Sequence, residues 1–439
     1  MMGLSWFSII RLGVVQMALG SIVAIAASTF NRVMVVELSL LQIVPGLLLA
    51  LHYFIQISRP NWGFLSDKGG NRTFWIISGI GTLGAGSILA CVGIKFFATN
   101  HFLGFLISIF AYCFIGIGVG AAGTSLLALI ATKIANDRRA AAATITWIMM
   151  ILGAVLTAII VGNIIDPYSI NKLISIVIIL SVFWLLACSL ALYKIEQKSV
   201  SPQKDKNNYI KDETSFFTGL RQVLSEKTTF WFTVFVFLSM TAYFMQEPIL
   251  EPYAGIVFQF SVGESTKLTG YHQGGILVGM LIVGILVSGL KIGSLNFWVL
   301  FGCAGSGIAL FLIAYLGQTI ANKTALMSSV ALLGFFNGNF AVGAIGSMME
   351  LAGTGRKNRE GTRMGLWGAG QAIAAGNAMI ISTLFVDLFQ SLTKNIADSY
   401  GIIFVIEGIL FLAAALLATK LIRRTTEIPK LSREEELNV

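Results

Sequence analysis

Charge is scarce in this chain: Asp, Glu, Lys and Arg make up 12% of its 439 residues, against about 25% in soluble domains. That excludes a soluble globular fold with an ordinary solvated surface. Histidine is rarer still at 3 residues, cysteine stands at 4 and proline at 7. Cys91, Cys113, Cys188 and Cys303 fall singly inside apolar runs, with no CxxC and no Cys/His ligand spacing. They read as small buried hydrophobes, not as a metal site or a disulfide frame. No hydrolase triad, phosphate cradle or metal-ligand cluster is legible, so neither an enzyme nor an intrinsic metal or cofactor is expected. The run Gly116-Ile-Gly118-Val-Gly120 superficially matches a nucleotide fingerprint, but it lies mid-span with no preceding strand and reads as a packing surface.

What remains is oil and glycine: hydrophobic residues reach 56%, and there are 46 glycines. A membrane crossing takes about 20 apolar residues, so an all-α integral membrane protein of twelve spans is predicted. The spans are placed at 11–31, 39–58, 73–94, 102–130, 142–163, 171–193, 229–257, 269–290, 294–316, 323–348, 364–388 and 400–422. The first apolar run lacks a small-residue cleavage site and is expected to be the first span itself.

Twelve crossings put both ends on one side. All but six of the 30 Lys and Arg fall there, the exceptions being Arg32, Lys95, Lys172, Lys267, Lys323 and Lys394. The positive-inside bias then predicts cytoplasmic termini, and the net charge of +9 is read against a lipid bilayer and not against nucleic acid.

The polar stretch from Lys194 to Lys227 divides the chain. The expected organisation is a six-helix bundle over 1–193, a cytoplasmic linker over 194–228, a second six-helix bundle over 229–422 and a cytoplasmic tail over 423–439. Phe216, Phe217, Leu220, Val223 and Leu224 recur at helical spacing within the linker, which fits either a surface helix or a partly ordered connection. A shift of 223 lays Gly120-Ala-Ala-Gly123-Thr124 on Gly343-Ala-Ile-Gly346-Ser347, and Lys133 and Asp137 on Arg356 and Glu360. That is the trace a duplicated 6+6 fold leaves.

Between the second and third spans the chain reads RPNWGFLSDKGGNR from Arg59 to Arg72. Gly63, Asp67, Lys68, Gly70 and Arg72 follow the order of the loop between helices 2 and 3 of major facilitator transporters, which this stretch resembles. The resemblance implies a conformational latch, with glycines for tight turning; the bland reading is a basic loop whose Asp67 offsets Lys68. The corresponding loop of the second half, Ser288 to Gly293, lacks the acid.

Ionisable groups inside a membrane are costly and mark candidate sites. Asn31, Arg32 and Glu37 form a polar cluster at the end of the first span; being five apart, Arg32 and Glu37 are not expected to share a face of an α-helix. Glu247 and Glu251, four apart, are expected on one face, with Pro248 and Pro252 bending or breaking the seventh helix there. Glu407 stands alone in the last span and needs a partner or a proton. His52, beside Tyr53 and four before Gln56, and His272, beside Gln273, are each either a metal-ligating imidazole or a hydrogen-bonded core residue. In the second half, Arg359, Glu360 and Arg363 mark a basic loop, Trp367 an expected interfacial residue and Gln371 a polar group inside the helix.

Three motifs in order, Asn31-Arg-Val-Met-Val-Val-Glu37, Leu250-Glu-Pro-Tyr253 and Arg359-Glu-Gly-Thr-Arg-Met-Gly-Leu-Trp-Gly368 followed by Gln371-Ala-Ile, resemble the PucC/LhaA bacteriochlorophyll-delivery group of the major facilitator superfamily, from about Arg11 to Arg424. One departure is that Tyr253 is followed by Ala254 before Gly255. The resemblance implies a multi-pass protein of the bacterial inner, intracytoplasmic membrane that carries or delivers (bacterio)chlorophyll to light-harvesting assembly. The pigment would be its bound substrate, and antenna polypeptides or pigment-synthesis enzymes its partners. Two readings from other classes stand beside it: a scaffold for antenna polypeptides that does not transport, and a proton-coupled exporter of a small amphiphile using Glu247 or Glu251.

Overall fold

The computed structural model describes residues 4–59, 61–62, 65, 71–135, 138–196, 227–319, 322–352 and 360–437. Twelve helices run through them. They are α1 (Trp6–Glu37), α2 (Ile43–Ser58), α3 (Arg72–Phe97), α4 (His101–Lys133), α5 (Arg139–Ile164), α6 (Ile170–Leu192), α7 in two segments (Lys227–Met245 and Leu250–Val257), α8 (Val262–Val287), α9 (Leu295–Thr319), α10 (Lys323–Ala352), α11 (Glu360–Thr393) and α12 (Ile396–Leu437). All but α2 are long and apolar enough to cross a bilayer. The protein is a multi-pass membrane protein of the 6+6 major facilitator fold.

The two halves repeat one another in their helix pairings. In the first, α1 packs on α5 and α6, α2 on α4, and α3 on α4 and α6; in the second, α7 packs on α11 and α12, α8 on α10, and α9 on α10 and α12. Each half has a large apolar core, the first joined by Val262 and Met379 of the second, and a small cluster of Ile151, Ile276 and Met280 bridges them. Among the described residues, α2 against α11 and α5 against α8 make the extended helix contacts between halves. The repeat extends to backbone conformation: Ser39 and Gln259, 220 residues apart, both take left-handed angles (φ 53° and 57°) just after α1 and α7.

Observed boundaries depart from the expected spans where polar residues belong to helix ends. The eighth span begins at Val262, not 269, because Ser261 and Glu264 form a reciprocal capping box that satisfies the first amides of the helix. The first runs on to Glu37 through two π-helical turns, Ile25–Thr29 and Val33–Glu37. The expected linker lies almost wholly outside the described residues, and the expected tail continues α12 as helix to Leu437.

Glycine sets how closely α8 and α10 approach. A Cβ on Gly275, Gly279, Gly334 or Gly338 would strike a backbone carbonyl of the opposite helix, whereas one on Gly284 would meet nothing within 4 Å. Gly279→Ala is therefore expected to force the pair apart and lower the melting temperature of the detergent-solubilised protein, by the roughly 1–3 kcal/mol of an overpacked core. Gly284→Ala is expected to leave it unchanged or raise it, since alanine is the better helix former.

Candidate functional site

The halves meet on the side away from both termini, around the break in α7. In an unbroken helix the carbonyl of Pro248 would accept from the amide of residue 252, but residue 252 is also proline and has no N–H. The same defect one turn earlier leaves Phe244 C=O to take the Glu247 amide at 3.2 Å, and the chain turns between Met245 and Leu250. The freed Pro248 carbonyl accepts from two side chains of the first half, Asn31 Nδ2 and Gln42 Nε2, the latter at 2.7 Å. Both are buried. Tyr400 Oη in turn donates to Gln42 Oε1 at 3.0 Å.

Two carboxylates reinforce this contact by holding helix starts across the interface. Asp387 in α11 accepts the amides of Gln42 and Ile43 at the head of α2, at 3.0 and 2.8 Å. Asp166, just after α5, accepts the Gly263 amide at 3.0 Å and the Ser261 hydroxyl at 2.5 Å at the head of α8. Each pairs an anion with the unsatisfied amides and positive dipole end of a helix. The two aspartates stand 221 apart, so the clasps are counterparts in the repeat. Neither was singled out from sequence, although that shift, two away from the one read off α4 and α10, would have laid Asp on Asp.

Arg32 and Glu37 do pair, against the expectation that five residues separate their faces. The physical reason is the π turn at Val33–Glu37: bonding from i to i+5 stacks residues five apart. Buried Arg32 also donates to Phe260 C=O at 2.9 Å, and Gly255 lets the second segment of α7 lie against its guanidinium. Glu247 and Glu251 do not share a helix face, because the proline break falls between them. Glu247 accepts from Tyr53 of α2 at 2.8 Å, tying the halves near mid-membrane, while Glu251 accepts from Thr269 of α8 at 2.5 Å within the second half.

Tyr253 is wholly buried and donates to Ile313 C=O at 2.9 Å among Phe258, Tyr400 and Phe404. It anchors the end of α7 to its own half. Trp367 is likewise inside the fold and not at an interface, donating to Thr233 at 3.2 Å and packing edge-on to Phe232. Gln371 touches the Met240 sulfur at 3.5 Å. Glu407 is completely buried, and neither of its oxygens has a partner among the described residues.

His52 and His272 are hydrogen-bonded core residues. Arg59 donates to Gln56 Oε1, so the Gln56 amide nitrogen faces His52 Nε2, at 3.0 Å. Ser306 donates to Asn337 Oδ1 at 2.8 Å, which turns the Asn337 amide nitrogen toward His272 Nε2, at 3.2 Å. In both rings the Nε2 lone pair is taken by an amide donor. Arg72 binds within the first half, to Ala128 C=O at 3.1 Å and to Thr132, while Glu196 accepts its amide. Gly63, Asp67, Lys68, Gly70 and Arg359 lie outside the described residues. Glu360 opens α11 and Arg363 follows in its first turn.

The family profile described as PUCC protein matches residues 29–426. The chain belongs to the PucC family. It is 49% identical, over 95% of its own length and 96% of the other, to the bacteriochlorophyll synthase 44.5 kDa chain of Rhodobacter capsulatus. Protein PucC of Cereibacter sphaeroides is 28% identical over 88% of this chain and 84% of its own. Two solved structures show that this PucC-family chain shares its fold with transporters. A bacterial homologue of the human lysosomal transporter Spinster, inward-facing and unoccupied, gives a TM-score of 0.71 at 12% identity over 96% of this chain and 98% of its own. A D-xylose–proton symporter gives 0.71 at 16% identity over 94% and 97%.

For the PucC-family clasps, Asp387→Asn is expected to speed hydrogen exchange at the Gln42 and Ile43 amides about 10- to 100-fold, the worth of a charge-assisted hydrogen bond. Asp166→Asn is expected to do the same at Gly263, each leaving the other clasp protected. Exchange followed by mass spectrometry on the solubilised protein reads both.

Proposed function

We propose that the protein is a membrane carrier or delivery factor for (bacterio)chlorophyll that assists assembly of light-harvesting complexes. The observation that carries this reading is the 49% identity, across nearly both full lengths, to a chain named for bacteriochlorophyll synthesis. A transporter fold supports a carrier over an enzyme, even though that relative's name contains "synthase". A chlorin with its long alcohol tail is largely apolar and dissolves in the bilayer. Its carrier needs lateral access and apolar walls more than an aqueous cavity lined with charge. Consistent with that, Arg32, Glu37, Glu247 and Glu251 are engaged with protein groups.

On this reading neither histidine ligates the pigment magnesium in the conformation described, because each Nε2 already accepts from an amide. Recognition falls to apolar contact, or to a conformation in which Gln56 has let go of His52, or in which both Asn337 and Gln246, whose amide nitrogen is also 3.2 Å from His272 Nε2, have let go of His272. The seal away from the termini and the transporter fold favour a carrier that alternates over a static scaffold. The Lys and Arg bias supports cytoplasmic termini, and the relative named for bacteriochlorophyll synthesis supports placing the chain in the intracytoplasmic membrane, where nascent antenna polypeptides would be its partners.

The absorption spectrum of the gently solubilised, purified protein is the decisive measurement. A chlorin band that elutes with the protein is expected, together with reduced antenna absorption in a deletion strain. Pigment-free protein from pigmented cells, alongside normal antenna absorption in the deletion strain, would sink the proposal. Flux of another amphiphile that depends on pH and is abolished by Glu251→Gln would favour the exporter.

A further inference from the structure

A groove of about 630 Å³ runs along α8 between α5 and α10, within the range of small-molecule sites. Its floor is glycine: Gly270, Gly274 and Gly275 line it, and nothing lies within 4 Å of where a Cβ on Gly274 would sit. From Lys267 to Val278 the floor spans eleven residues of helix, or about 16 Å at ~1.5 Å per residue. Tyr271, Val278 and Ile159 along it are exposed, so the groove opens sideways to the membrane.

Its polar groups gather at the end nearer the start of α8, where Lys267 stands with Asn163 and Tyr271. The stem of Lys267 packs over Gly162. No carboxylate among the described residues pairs with its ammonium. The acids at this end are engaged elsewhere, Asp166 on the head of α8 and Glu264 on Lys323 at 2.6 Å. Asn163 spends one N–H of its amide on Ile159 C=O at 2.9 Å, leaving the other to donate to a ligand oxygen. A lysine inside a membrane span with no acid beside it is unfavourable, and an anion from the membrane would relieve that cost.

We propose that this groove seats one acyl chain of an anionic glycerophospholipid from the leaflet away from the termini. The phosphate rests on Lys267, and the chain lies over the glycine floor toward Val278 and Phe335. Charge selects the occupant: a zwitterionic lipid brings its own cation to a site that already holds one. Because α5 belongs to the first half while α8 and α10 belong to the second, the lipid bridges the halves beside the Asp166 clasp. This site stands apart from the pigment reading and does not depend on it.

Delipidated full-length protein, titrated with phosphatidylglycerol or phosphatidylcholine of matched chains and read by native mass spectrometry, tests the assignment. The phosphatidylglycerol adduct is expected at about tenfold lower lipid concentration, as one charge-assisted hydrogen bond supplies. Lys267→Gln is expected to remove the preference and Lys267→Arg to keep it. Gly274→Leu, which enters open space and so leaves the fold intact, is expected to weaken retention of both lipids. Equal retention of the two lipids by the unaltered protein, a preference that survives Lys267→Gln, or retention unchanged in Gly274→Leu would each overturn the site and leave Lys267 as a snorkelling lysine only.

Discussion

A backbone polar group without a partner is expensive where water is absent, and the contact between the halves is built from that constraint. The orphan carbonyl of Pro248, the Gln42 and Ile43 amides at the head of α2 and the Gly263 amide at the head of α8 find no partner in the helices they belong to. In every case the partner comes from the other half: Asn31 and Gln42 for the carbonyl, Asp387 for α2 and Asp166 for α8. The Phe260 carbonyl, in the turn before α8, is met in the same way by Arg32. The polar part of the seal is thus made of backbone obligations exchanged between two bundles, whose apolar cores also meet, at Val262 and Met379 and where Ile151 packs with Ile276 and Met280.

This mode of contact suits a molecule whose halves must separate. Apolar helix faces gain little from meeting one another in lipid, since the lipid is as apolar as they are. Hydrogen bonds to helix ends are few, directional and concentrated at one rim. Tyr53 with Glu247 marks how deep the polar contact reaches. Below it α2 and α11 meet through close packing, as where Phe54 lies over Gly376.

Twelve helices and their division were legible from hydropathy, because a long apolar run has only one way to satisfy its backbone in a membrane. The proline break in α7 was legible too, since proline's missing amide is a local fact. Partnerships set by distant chain segments were not. Asp166 and Asp387 look like ordinary loop and helix-end acids until α8 and α2 are placed beside them. The Arg32–Glu37 pair was misread because helical periodicity was taken as 3.6, and the π turn at Val33–Glu37 shifts it. Glu247 and Glu251 were misread for the opposite reason: α-helical spacing was carried across a break that the same residues predicted.

The paired clasps also bear on ancestry. A half-length chain carrying one such aspartate after its fifth helix and one free helix start before its second would, on meeting its own copy, form both clasps at once. That is the self-complementary contact of a two-fold homodimer, in which residue i touches j and j touches i. Fusion of two copies would keep the contact and remove the concentration dependence of pairing, after which each clasp was free to diverge. The hydroxyl of Ser261 standing where its counterpart uses the Ile43 amide is the kind of asymmetry that only a fused pair is free to acquire.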